Sequence, residues 1–374
     1  MTIQGDDRRG WRRAPLVALA AVAAVVLAGC GGGGGEQMVG DAAGLGPAGE
    51  QQFVDLYRAA QEAGEREVVV YSSFSEPLKP AFDAFSKRFP DIKVTGVPLF
   101  GAPLQTKVEQ EVTSGRVTGD FVASAVTSMS YLDKAGRFEP YRPFAANSVT
   151  NDLFVDPAYP GLTGFMYDAR GFLYNTTQVP EGSAPQGWKD LLDPAWKGRL
   201  GITDPTSNGA GLSSLYQLTA SGQFDDAYLR GLADQQLQLS SSSPELSSAV
   251  ATGRVPVGLS VSNVDYQRLK KGGAPVGFQF PLTSGGYVAS VYGALTAGAP
   301  HPNAAKLLFN WLYTPEGAQA LADLDYFSPV PGSPTPDGYP PIEQIPTLTP
   351  PGLAEQATGE QQVLPEIKQV FGKA

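Results

Sequence analysis

The chain has 374 residues, 42% apolar and 17% charged, which is enough apolar material for one large domain or two lobes and excludes a wholly disordered chain. Its net charge of −10 excludes a protein that grips nucleic acid through broad basic patches, and its single cysteine excludes an internal disulfide.

The N-terminus reads "DDRRGWRRAPLVALAAVAAVVLAGCGGGGG": four arginines, an apolar run from Ala14 to Gly29, and small residues leading into Cys30. Basic, apolar and then small residues are the order of an export signal. The run is sixteen residues long and contains Pro15, short of the roughly 20 residues that span a bilayer. "LAGC" resembles the bacterial lipobox, which implies cleavage after residue 29, lipid on Cys30 and an extracytoplasmic body anchored to the cell membrane. The arginine pairs at 8–9 and 12–13 fit twin-arginine export as well as the general route. Loss of residues 1–29 removes four Arg and two Asp and leaves a net charge of −12. Gly- and Ala-rich text continues to Gly49, predicting a flexible tether over 30–52.

From residue 67 the pattern turns periodic. "EVVVY" predicts a short buried strand, and Leu78, Phe82, Phe85 and Phe89 share one helical face after a loop in which Ser75 is a candidate N-cap. "DIKVTGV" supplies the next strand, so 67–97 forms a βαβ unit. A helix near 102–114 and a strand at 120–126 continue the alternation, predicting a mostly parallel sheet covered by helices. Ligands of such sheets bind beyond the carboxyl ends of the strands, which directs attention to the loops at 72–75 and 127–130. "GFMYDARGFLYN" (164–175) reads as an extended crossing segment, followed by a strand near 200–203, a helix from about Ser207, a helix begun by Ser243 and the strand "VPVGLSV". The run "LSSSSPELSS" is explained by a strand end and an N-cap. A helix containing Trp311 precedes a proline-rich tail expected to wrap the surface.

Two stretches carry a family resemblance. "LYNTTQVPEGSAPQGWKDLLDPAWKGRLGITDP" and "GAPHPNAAKLLFNWLYTPEGAQALA" are similar to the hinge-strand segment and the C-terminal helix pair of bacterial extracellular solute-binding proteins, the substrate-binding components of ABC importers. "DARGFLYN" resembles the branch that carries ferric iron, phosphonates, sugar phosphates, thiamine or polyamines. The resemblance implies an α/β, two-lobe type II periplasmic-binding-protein fold, each lobe a mostly parallel sheet flanked by helices and joined by hinge strands. It places one lobe at 66–168 with 290–330 and the other at 172–286 with 335–374. It further implies a monomer that captures a small solute, hands it to a permease driven by an ATPase, and is neither an enzyme nor a carrier of a cofactor.

Candidate ligand contacts emerge from residue chemistry. Ser72, Ser73, Phe74 and Ser75 lie beyond a buried strand, where hydroxyls and backbone N–H groups suit an anion, although serine there also serves as a plain cap. In "DPTSNGAG", Ser207, Asn208, Gly209 and Ala210 are small enough for backbone N–H groups to approach a ligand as a helix begins. Thr127 and Ser128 follow the third strand, and Arg170 is expected either to meet an anion or to pair across the hinge.

Ser262, Asn263, Asp265 and Tyr266 occupy the position where ferric relatives carry two adjacent tyrosines. The tyrosine pair falls here on Val264 and Asp265, and Phe74-Ser75 stand where those relatives often have a histidine, so no metal ligand is assigned. Asp265 is instead expected to meet an ammonium or hydroxyl group. A charged solute such as a phosphonate or sugar phosphate is the leading expectation. Ferric iron, a polyamine or thiamine is the alternative, and an envelope enzyme or interaction module on the same fold is the other. The sole histidine, His301, sits in "PHPN" at a predicted helix start, which gives a Ser-His-Asp triad little support.

Overall fold

The computed structural model describes residues 45–207, 209–341, 344–348 and 351–372, so the predicted signal, Cys30 and Asn208 lie outside the described residues. Helix α1 (Gly46–Glu62) opens the body, with Phe53, Tyr57 and Ala60 buried on one face. It packs against α9 (Pro302–Trp311). Residues 46–52, expected to belong to the tether, are therefore helical. Pro47 is tolerated in the first turn, and the buried face ties the helix to the body.

Strands β1 (Glu67–Ser72), β2 (Lys93–Val97) and β3 (Phe121–Ser124) pair in parallel, separated by α2 (Lys79–Arg88) and α3 (Gly101–Ser114). Leu78, Phe82, Phe85 and Phe89 are buried as their spacing predicts. The N-cap of α2 is Leu78 rather than Ser75, because 73–78 first make turns. Helix α4 (Val126–Lys134) follows β3.

The crossing segment is β4 (Thr163–Asn175), a strand of 13 residues. Its first part pairs with β9 (Tyr287–Leu295), and its second with β7 (Val257–Ser262) and β8 (Val276–Gln279), all antiparallel. Arg170 stands at the changeover, opposite both Tyr287 and Ser262. Beyond it, β5 (Leu200–Thr203) runs parallel to β7 and to β6 (Gln238–Ser240). The strand order among the described residues is β2-β1-β3-β9-β4-β7-β5-β6, with β8 also on β4.

Helices α5 (Ala210–Ala220), α6 (Asp226–Asp234), α7 (Ser243–Ala251) and α8 (Asn263–Lys271) accompany this second group. Helix α5 begins three residues later than expected, and α7 is capped by Ser242. Separate cores form on the two strand groups. Phe85, Phe121, Phe165, Phe309 and Trp311 join one. Phe172, Trp188, Leu200, Ile202, Leu212 and Leu215 join the other. In the family-like "GWKDLL", Trp188 donates Nε1–H to the Gly285 carbonyl at 3.0 Å and its own carbonyl accepts from Tyr228 at 2.7 Å.

After α10 (Pro315–Ala322), the proline-rich tail does not end as surface coil. It closes with the 19-residue helix α11 (Leu353–Phe371). Leu353 enters a cluster with Leu104, Val108 and Met129, while Ile367 and Phe371 enter the core around Trp188.

Candidate ligand-binding cleft

The carboxyl ends of β1, β2, β3 and β5 open toward one cavity of 400 Å³. Its wall takes Ser73 and Phe74 after β1, Phe100, Gly101, Ala102 and Gln105 at the start of α3, and Ser124 to Ser128 where β3 passes into α4. Asp168 and Arg170 come from β4, Gly209, Ala210 and Ser213 from the start of α5, and Tyr287 with 289–291 from β9. Helix α11 adds Gln356 and Glu360.

Three helices thus begin on the cavity. The N-cap positions of α3, α4 and α5 are Phe100, Ala125 and Gly209, none of which supplies a side-chain cap. A helix leaves its first backbone N–H groups without intrahelical partners, and its dipole makes that end favour negative charge. Two glycines permit this geometry at α5. Gly209 has φ +151°, in a region L-residues rarely adopt, and a Cβ on Gly211 would strike the Thr203 carbonyl.

Arg170 and Asp168 sit two residues apart on β4 and therefore share a face of the sheet. Arg170 donates from Nε and Nη2 to the two Asp168 oxygens at 2.9 and 3.1 Å, and from Nη1 to the Ser260 carbonyl at 3.4 Å. The guanidinium lies 5.7 Å from the ring centre of Tyr287, a cation–π arrangement. Burial opposes its charge most strongly, but Asp168, with Tyr287 and Asp265 adding to it, outweighs burial and raises its pKa. Guanidinium carries five N–H donors, so Arg170 keeps donors to offer the cavity. Burial pushes the Tyr287 phenol far above its ordinary range and keeps it neutral.

Glu360 is 5% exposed and accepts from the Thr127 hydroxyl at 3.2 Å. Burial raises its pKa, with hydrogen bonds from Ser213 and Thr127 drawing it partly back. The Ser290 hydroxyl is buried on the same wall without a protein partner.

Of the residues singled out in the sequence, Ser73, Phe74, Thr127, Ser128, Arg170, Gly209 and Ala210 meet here. The other candidates among the described residues lie off the wall. Ser72 is buried and accepts from the Phe74 N–H at 3.0 Å. Ser75 is buried, its Cβ near the space a side chain on Gly96 would need. Ser207 is exposed and donates to the Asp204 carbonyl at 3.4 Å. Ser262 donates to Asp168 at 2.9 Å and caps α8, so it orients the ion pair from behind. Asn263 bridges the Ala169 N–H and the Asp325 carbonyl at 3.0 and 2.7 Å. Asp265 pairs with Arg268 at 2.9 Å, and Tyr266 stacks on Phe278 with centroids 5.2 Å apart. His301 stands at the N-cap position of α9 without a side-chain cap bond, its ring Nδ1 3.0 Å from Asp120.

Residues 71–319 match the bacterial extracellular solute-binding protein family. The chain belongs to that family. A Haemophilus influenzae protein is 26% identical over 265 residues, 67% of this chain and 74% of that one. Among solved structures, this solute-binding protein is similar to the periplasmic binding protein AfuA of Actinobacillus pleuropneumoniae with exogenous fructose-6-phosphate bound. The TM-score is 0.68 at 20% identity, covering 82% of this chain and 99% of that one. It is also similar to iron-bound HitA of Pseudomonas aeruginosa, with TM-score 0.63 at 20% identity over 80% and 99% of the two chains. The fold of this solute-binding protein is accordingly the two-lobe type II fold, and the family is a transport component that works with an ABC permease.

The cavity residues not singled out from the sequence include Asp168, Ser213, Tyr287, Ser290, Gln356 and Glu360. Asp168 carries a legible signal in hindsight, a carboxylate two positions before Arg170 on a strand. Gln356 and Glu360 lie beyond the family-matched segment, which ends at residue 319. A second cavity, of 290 Å³, is lined by Phe154, Tyr167, Ser328 and neighbours, and has no helix N-terminus among its described walls.

Proposed function

We propose that this ABC-importer solute-binding protein captures a small solute with a phosphonate, phosphate or similar anionic group in the 400 Å³ cavity. The observation that carries this is the convergence of three helix N-termini without side-chain caps on the space that Arg170 also lines. A ligand touching both strand groups stabilises the arrangement in which they close on it, and that state is the one offered to the permease. The lobe limits 66–168 with 290–330 and 172–286 with 335–374 belong to the same proposal, with α11 entering the core around Trp188 and the cluster around Leu104. So do lipid attachment at Cys30, an extracytoplasmic position and a monomeric state. The fructose-6-phosphate of AfuA supports the choice of a phosphorylated or phosphonate solute. Against ferric iron bound through paired phenolates, Tyr287 is the one tyrosine among the described residues of the cavity wall.

Ala102, exposed in the first turn of α3, provides the test. Ala102→Asp suits a helix N-terminus and so preserves folding, but its carboxylate takes the place meant for the solute. Calorimetric titration with phosphate, alkylphosphonates and hexose phosphates is expected to show at least a tenfold loss of affinity in Ala102→Asp, with Ala102→Asn close to the parent. Equal affinity in all three proteins, or no binding by any of these anions, would contradict an anionic solute.

A further inference from the structure

The ionisable side chains of the cavity do not balance. Arg170 is already matched by Asp168 at 2.9 Å. Glu360 is buried, and among the described residues its carboxylate takes hydrogen bonds from hydroxyls, Thr127 at the start of α4 and Ser213 at the start of α5. No basic residue stands among the described walls besides Arg170. Burying a carboxylate without a cation is costly, and an anion arriving in the same space adds repulsion. A solute that brings its own positive N–H group removes both difficulties at once.

We propose that Glu360 is a specificity-determining residue and that the solute carries a protonated amine beside its anionic group. The proposal rests on the anionic solute argued above. Asp265, the acid expected from sequence to fill this role, is turned to Arg268 at 2.9 Å and lies off the cavity wall. Glu360 reaches the cavity from α11, so specificity is set by a helix outside the family-matched 71–319. The amine donates to the Glu360 carboxylate while the anionic group accepts from the helix N-termini and Arg170.

The experiment is titration calorimetry of the purified protein with two matched pairs, 2-aminoethylphosphonate against propylphosphonate and 3-aminopropylphosphonate against butylphosphonate. Each pair replaces an ammonium by a methyl group of similar size. At least one amine is expected to bind ten times more tightly than its alkyl partner. In Glu360→Gln, which keeps an oxygen for Thr127 and Ser213, that ratio is expected to fall below threefold. Equal affinities within both pairs in the parent protein overturn the proposal without using any variant. So does a preference that survives Glu360→Gln, and the anionic solute stands in both cases. Binding of none of the four compounds also overturns it, while the phosphate and hexose phosphate titrations then decide separately whether the cleft takes anions.

Discussion

At Arg170 the alternatives open in the sequence, anion contact or pairing across the hinge, turn out to be compatible. Its side chain is 13% exposed and that of Asp168 8%, so each charge depends on the other for compensation. Removing one partner of a buried pair leaves the other charge stranded, typically at a cost of about 3–5 kcal/mol. Arg170→Gln is therefore expected to lower unfolding free energy by about that amount at pH 7, measured by urea denaturation. Asp168→Asn added to Arg170→Gln is expected to recover part of the loss, and purely additive losses would show that the two do not compensate each other. The residue type and its strand position were legible, since "DARGFLYN" sets Asp168 and Arg170 on one face. The fate of Asp265 was not, because Arg268 one helical turn on competes for it.

At the scale of elements, the short buried strands and the Phe-rich face of α2 were legible because their periods of two and 3.6 are unbroken. Helix α11 was not, because Gly359 and Pro365 interrupt it and polar residues fill much of its surface. Its stability comes from tertiary packing, with Ile367 and Phe371 in one core and Leu353 in another cluster. Gly359 lies directly on the ring of Tyr216, and a Cβ there would overlap it. Alanine in place of glycine favours an exposed helix by about 1 kcal/mol, but forced overpacking costs roughly 1–3 kcal/mol. Since Tyr216 is only 7% exposed, overpacking should win. Gly359→Ala is expected to lower thermal stability and to weaken phosphonate binding by displacing Glu360. A variant more stable than the parent would show that α11 sits loosely.

For the whole molecule, the two-lobe fold was legible from chain order and family-like text, but not the composition of the cleft between β4, β9 and the helix starts. A cavity draws its wall from residues hundreds of positions apart, as when Thr127 meets Glu360, and no local period reports such a meeting. The central claim is that helix starts at α3, α4 and α5 hold the solute. Backbone N–H groups in a first helical turn lack intrahelical partners and should exchange quickly until a ligand accepts from them. Hydrogen–deuterium exchange with saturating 2-aminoethylphosphonate measures this directly. Slowed exchange at 101–102, 126–128 and 210–212, with little change at 148–154 or 328–331, is the expected result. Protection confined to the second cavity, or none at the three helix starts, would contradict it.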